Sequence, residues 1–529
     1  MNRRKLLATA TAALAMPAVA RAASGSVLKF VPQSDLGLLD PIWSTATVTR
    51  NHGYMVFDTL YAQAGPQAGG QALPQMVAGH VIENDGKTWN LTLRDGLLFH
   101  DGQKVLARDC VASIRRWGVR DAFGQALMQR TDELSAPDDR TIRFRLKAPF
   151  PLLPMALGHT EATMCAMMPE RLALTDPFKQ ISEVVGSGPF RFKPDERVPG
   201  SLYVYQRFAE YQPRPNGTPD WTSGPKVVKF DRVEWRVMPD PAVAATALQS
   251  GEVDWVEQPP ADLLPLLRRN AGVRVEIINP IGSCGLMRPN HLYPPFNNQA
   301  VRRALLGAID QSEFMIAAAG TDPSLWQVPV GFFAPASPVA SEVGMAVLTG
   351  KRDYDKVKRD LQAAGYNGEK IVMLVAADEP DLKAYADVAA EMLKRVGMAV
   401  DYQALDAGTV VQRRTSKKPP DQGGWNLFCT GLGGFTFLDP VRNVPLRCNG
   451  DAAWPGWPTS PTIEALRTAY FDAADLAAQK RLAADIQAQA FIEVPYYPLG
   501  LGLFPTAYRA DLADVPKGIP VFWSVRRQA

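Results

Sequence analysis

Residues 425–440, WNLFCTGLGGFTFLDP, constrain this chain more than any other stretch, because they run from strand alternation straight into a glycine-rich turn. Trp425, Leu427 and Cys429 alternate with Asn426, Phe428 and Thr430, which is the period of a strand. Gly431, Gly433 and Gly434 then permit backbone angles that other residues resist. Two readings stay open from these residues alone. The turn joins two core elements, or it brings backbone close to a ligand.

The remaining chain alternates strands with helices. Residues 26–31, SVLKFV, read as a buried strand whose polar end, PQSDLG, faces the crevice side of an open α/β sheet. Residues 56–63, VFDTLYAQ, read as a helical piece with Val56, Leu60 and Tyr61 on one face. In residues 87–102, Trp89, Leu91 and Leu93 alternate inward and Asp95-Gly96 supplies a turn, which predicts a β-hairpin. Cys110, Val111, Ile114 and Trp117 share a helical face over 107–117, and 141–146 returns to strand alternation. Further helices are expected over 242–250, stopped by Gly251, over 301–310, from about 383 to Gly397, and after Ser460, with Pro461 at the first helical position.

The first 22 residues, MNRRKLLATATAALAMPAVARA, have a basic start, an apolar run and a small-x-small end, the pattern of an export signal. Arg3 and Arg4 resemble a twin-arginine signal, with a plain Sec signal as the alternative. No cysteine precedes Cys110, so a lipid anchor at the cleavage site is not expected. Without the four basic residues of the signal, the 57 Lys and Arg of the chain fall one short of its 54 Asp and Glu. A near-neutral chain gives no electrostatic reason to expect nucleic acid or an anionic membrane as partner. Past the signal no apolar run reaches the ~18 residues that span a bilayer. At 529 residues, two or three domains are expected.

Five cysteines in an exported chain leave at least one thiol free; Cys429 with Cys448, or Cys284 with Cys429, are candidate bridges, and Cys110 and Cys165 read as buried apolar residues. The five histidines, His52, His80, His100, His159 and His291, show no ligand spacing, so neither a metal nor any other cofactor is expected. Gly86-Lys87-Thr88 imitates the end of a phosphate loop, but Val81 stands where its first glycine belongs. Gly186-Ser187-Gly188 lacks the spacing of a nucleophile elbow and no helix follows it.

Taken in order, LDP at 39, VFDTLY at 56, PQMVAGHVIENDGKTWNLTLRDGLLFHDG at 74–102, VGSGPF at 185, SGEVDWV at 250, PPFNNQAVRRALLGAID at 294 and YDKVKRDLQAAGY at 354 resemble family 5 of the bacterial ABC-importer solute-binding proteins, the dipeptide-, oligopeptide- and nickel-binding group. The resemblance covers roughly residues 28–510. It implies an α/β, two-lobed periplasmic binding protein of type II, cluster C-like, with an extra α+β subdomain. Lobe I would hold 23–281, including the subdomain 62–185, together with the returning segment 499–529. Lobe II would be 282–498, with the crossings near Asn279 and Pro498 as the hinge.

The resemblance further implies a small solute held between the lobes and handed to an ABC importer permease in the inner membrane by a soluble, monomeric periplasmic protein. Peptide-binding members carry an aspartate in the glycine-rich turn that pairs with the solute's amino group. Here the turn reads Gly434-Phe435-Thr436-Phe437, and a buried ammonium without a carboxylate is costly. Candidate solute contacts are therefore Trp425, Gly433, Phe435, Thr436, Trp454 and Trp457, the aromatics stacking on a ring or apolar solute. Loop packing is the alternative for Trp454 and Trp457. Ser34 and Asp35 at the first strand's end are added, Asp35 as a substitute amine partner, with Gly285, Leu286 and Met287 along an edge. Arg413 and Arg414 meet either a carboxylate or solvent. A secreted hydrolase, or a periplasmic chaperone or sensor partner on the same fold, are the competing functions.

Overall fold

The computed structural model describes residues 26–160, 163–473 and 475–528. The export signal expected over 1–22 lies outside them. Two large sheets organise the chain. In the first, seven strands run in the order Val273–Glu276, Thr506–Arg509, Trp255–Val256, Val27–Val31, Arg232–Arg236, Leu202–Arg207, Phe190–Phe192. In the second, six run Trp326–Gln327, Tyr497–Gly502, Ser283–Pro289, Leu427–Gly433, Lys370–Ala376, Ala399–Leu405. Both sheets are mixed: Val27–Val31 is parallel to both neighbours, whereas Ser283–Pro289 is antiparallel to both of its own. Strand Lys370–Ala376 is buried after its first residue, which is why KIVMLVA is a continuous apolar run and not an alternation.

Among the described residues the chain passes between these sheets twice, through 277–282 and through 503–505. The second passage lies beyond the expected Pro498. Tyr497–Gly502 first pairs along Ser283–Pro289 inside the second sheet, and only then does the chain return as Thr506–Arg509. Two short connections between separately built halves are the makings of a hinge.

A third sheet, of order Val77–Glu83, Thr88–Leu93, Thr141–Leu146, Thr131–Ser135, carries helices Ala107–Arg120 and Ala122–Arg130. Trp89, Leu91 and Leu93 point inward as their alternation predicts. The hairpin turn is elsewhere. Strand Thr88–Leu93 folds back on Val77–Glu83 through Asn84, Asp85 and Gly86, all at positive φ, while Asp95-Gly96 leads only to a single bridge between Leu98 and Lys104. Asn, Asp and Gly tolerate the left-handed region best, so the tighter reversal forms there.

Two helix expectations shift for related reasons. Residues 56–63 are not a helix: helix Thr47–Val56 ends there and Tyr61–Gln63 becomes a strand against Ala72–Pro74. Helix Gln299–Leu306 stops at Gly307 instead of reaching 310, where Asp310 caps a new helix, Gln311–Ala319. Ser460 does cap helix Pro461–Phe471 by accepting from the Ile463 amide, and Gly251 and Gly397 sit at positive φ after their helices. The third sheet's helices also reach the second half. Arg130 lies 4.4 Å over the Phe471 ring, and Phe150 stands 6.1 Å from the same ring. These contacts bridge the two halves.

Candidate functional site

Where the two passages cross, the halves enclose a cavity of about 140 Å³. Its first wall comes from the first half: Gln33 at the end of strand Val27–Val31, Thr45 and Arg50 before and on helix Thr47–Val56, and Glu257 and Gln258 directly after strand Trp255–Val256. The opposite wall comes from the second half: Glu379 and Asp381 after strand Lys370–Ala376, Arg414 after helix Ala407–Arg413, and Phe428 to Gly433 of strand Leu427–Gly433. Most of these charged groups stand at the carboxyl ends of parallel strands, where open α/β sheets place their ligands.

Three carboxylates therefore face two guanidiniums in one space. Glu257 accepts from the Gln33 amide at 2.9 Å and from Asn51 Nδ2 at 2.8 Å. Burial pushes its carboxyl up to about 7. Glu379 is pushed up to about 8, by burial first and then by the neighbouring Asp381. Burial also raises Asp381. Burial thus favours the protonated form of these acids, and a cation beside them favours the ionised form. Arg414 stacks 5.0 Å over Trp454, donates 2.7 Å to Thr45 Oγ1 across the cleft, and is lowered to about 10 by burial. Arg50 is held against Asn51 Oδ1 at 3.1 Å.

A smaller chamber of about 30 Å³ adjoins this space, sharing Thr45, Thr47, Arg50 and Gly433 with it. Thr436, Trp454, Arg442 and His159 line it. Both His159 ring nitrogens are buried without a hydrogen-bond partner among the described residues, although Nε2 stands 3.5 Å from Asp121.

The expected site residues divide sharply. Gly433 lines both chambers, and Thr436 and Trp454 line the smaller one. Ser34 lies beside them, hydrogen-bonded to Glu379. The others are elsewhere. Asp35 accepts from the Tyr203 hydroxyl at 2.7 Å and does not line the cavity. Gly285, Leu286 and Met287 are inner residues of the second sheet, with Tyr385 pressed on Gly285. Arg413 is turned away, donating to Gln403 Oε1 at 2.8 Å, while its neighbour Arg414 faces the cavity.

The aromatics mostly hold the scaffold. Trp425 and Trp457 are buried 5.9 Å apart, and Trp425 Nε1 donates to the Arg414 carbonyl at 3.1 Å. Phe435 meets Trp221 of the first half edge to face at 4.9 Å, packed with Ile281 of the hinge. That packing ties the turn to the passage between the halves. All five cysteines are buried, and no disulfide joins them among the described residues. Cys284 and Cys429 are on neighbouring strands but three rungs apart, Cys284 facing Leu432 and Cys429 facing Met287. Cys429 lines the cavity, whereas the Cys448 thiol donates to the Leu446 carbonyl at 3.4 Å, so that bridge is not made either.

Sequence reasoning missed Glu257, Glu379, Asp381 and Arg50. The readable signal was position: each acid follows a strand, in DWVE and VAADEPD. No His, Cys, Asp or Glu group of three or more among the described residues could hold a metal ion, and no helix among them is long and apolar enough to cross a membrane. Ser187 Oγ donates to Met76 Sδ at 4.0 Å, which is not the base that activates a nucleophile.

Residues 71–452 match the family described as bacterial extracellular solute-binding proteins, family 5 Middle. The chain belongs to this family. It is 35% identical over 98% of its length, and 97% of the relative's, to a probable peptide ABC transporter periplasmic-binding protein, y4tO, of Sinorhizobium fredii. Among solved structures it is similar to the periplasmic binding protein AgaA of A. tumefaciens R10 in complex with agropinic acid, at a TM-score of 0.78 and 19% identity, covering 95% of this chain and 99% of that one. The Helicobacter pylori protein DppA, in complex with the peptide STSA, has the same TM-score and identity, covering 96% and 98%. The two-lobed architecture of this family is therefore that of the present chain. As a family 5 member it binds a solute for an ABC importer, and its relatives are binding proteins of transporters, not enzymes.

Proposed function

We propose that this chain is a periplasmic receptor for a small zwitterionic amino compound, a short peptide or peptide-like conjugate, which it delivers as a monomer and without catalysis to an importer permease. The supporting observation is the cavity at the crossing of the two sheets, where Glu257, Glu379 and Asp381 face Arg50 and Arg414. The carboxylates receive the ammonium that the glycine-rich turn, lacking an acid, leaves unpaired. The guanidiniums receive a carboxylate. At roughly 10–15 Å³ for each water-sized occupant, the main chamber admits a compact solute of about ten such units, and the smaller chamber takes one projecting group. A long peptide does not fit.

Mass spectrometry of small molecules released on denaturing protein purified from its native periplasm tests this reading, followed by calorimetry with the compound recovered. An amino compound of two or three residues' size that also carries a carboxylate is the expected result. Recovery of a neutral sugar or an apolar ring compound without an amine would overturn it.

A further inference from the structure

At the outer rim of the cleft, away from the charged cavity, Arg447 is 7% exposed and lines a separate space of about 190 Å³ between the two halves. Helix Ala122–Arg130 of the first half closes one side of that space, and residues 447–471 of the second close the other. Only Ala122 is shared with the smaller solute chamber.

The charges around it do not balance. Arg467 is matched by Glu464, donating Nη1 to both carboxylate oxygens at 3.2 and 3.1 Å, and Glu464 also accepts from the Cys448 amide at 2.8 Å. Arg130 is matched by Asp472 at 3.4 Å. Arg447 has neither. Its Nη1 donates to the neutral Gln125 Oε1 at 2.7 Å, and its Nε is buried with no partner among the described residues. Asn449 Oδ1, on the same wall, is also buried without a partner, and a half-turn of that amide presents its NH2 to the space. A buried guanidinium with an unused N–H is costly, and the group that satisfies its fork is a planar or tetrahedral oxyanion.

We propose that this rim is a second binding site, for a small oxyanion of phosphate type, held by Arg447 with Arg130 and Asn449. Burial first, and then Arg467 beside it, lowers Arg447 to about 10, against the opposing pull of the Glu464 and Asp121 carboxylates, neither of which is hydrogen-bonded to it. Because Arg130 and Arg447 belong to different halves, the oxyanion binds the closed form preferentially. Solute and oxyanion then raise each other's affinity by one common factor.

Inorganic phosphate is the probe, titrated into solute-free protein at constant ionic strength with chloride as the reference anion. A saturable rise in melting temperature is expected for the wild type and its loss in Arg447→Gln, with Asn449→Asp, which places a repelling carboxylate on the rim, as a second variant should the first fold poorly. Tenfold or greater weakening of phosphate binding in either folded variant supports the site. A wild-type shift no larger than that of chloride, or an equal phosphate shift in the variants, overturns it.

Discussion

Glu379 and Glu257 come from opposite halves and meet in one cavity, so they feel both the solute and the closing of the cleft. Replacing either by glutamine removes an acceptor for a charged donor, an interaction of about 1.5–3 kcal/mol. An amino solute should bind on the order of 10- to 100-fold more weakly to each variant by calorimetry. The pH dependence has a fixed sign. A carboxyl raised from 4.5 to about 8 on folding, as Glu379 is, holds a proton that the unfolded chain has already released. The stability this confers on the empty protein is complete below about pH 4.5 and is lost as pH rises towards 8. Solute affinity moves the other way, because the ammonium needs ionised partners. Melting temperature of the empty protein should fall over this window while affinity for the amino solute climbs, with protons released on binding that calorimetry in buffers of differing ionisation enthalpy detects. Of these residues the sequence disclosed little: an acid after a strand looks the same in VAADEPD whether it meets solvent or a ligand, and the facing half that buries it is more than a hundred residues away.

The glycine-rich turn was legible as an element even though its partners were not. Strand Leu427–Gly433 does run into a short 3-10 turn, Gly434–Phe437. Period-2 alternation and glycine clustering are local properties, and local properties survive folding. What the turn touches is set by distant chain. A Cβ on Gly434 would stand 2.4 Å from the Ile281 carbonyl oxygen, inside the passage between halves. Gly434→Ala must push the turn off the hinge, at a cost of about 1–3 kcal/mol for overpacking. Urea unfolding should record that loss together with weaker solute binding, whereas Gly423→Ala, at a site with open space but positive φ, should affect stability alone. The misplaced hairpin turn teaches the same lesson from the other side, since Asp95-Gly96 and Asn84-Asp85-Gly86 are both competent reversals and the pairing of Val77–Glu83 decided between them.

Across the whole molecule, several contacts span the cleft, among them Arg414 to Thr45, Arg447 to Gln125, Phe435 on Trp221, Arg130 to Asp472 and Ser34 to Glu379. None is large, which suits a receptor that must open again. Thr45→Val deletes one hydrogen bond without changing the shape of the wall. The solute-free protein should then populate a more open form, read by small-angle scattering as a larger radius of gyration, and bind solute with reduced affinity. An unchanged radius and affinity would show that the Arg414–Thr45 bond does not control closure.

Strand Thr506–Arg509 lies between Trp255–Val256 and Val273–Glu276 in the first sheet, not at its edge. The first half therefore waits for residues made after the entire second half before its sheet can extend past Trp255–Val256 to Val273–Glu276. Assembly of the first half cannot finish before the second half has been synthesised. A chain shortened at residue 505 would lack an inner strand and should leave the first half unfolded while the second sheet, complete by Gly502, keeps its protection from hydrogen exchange.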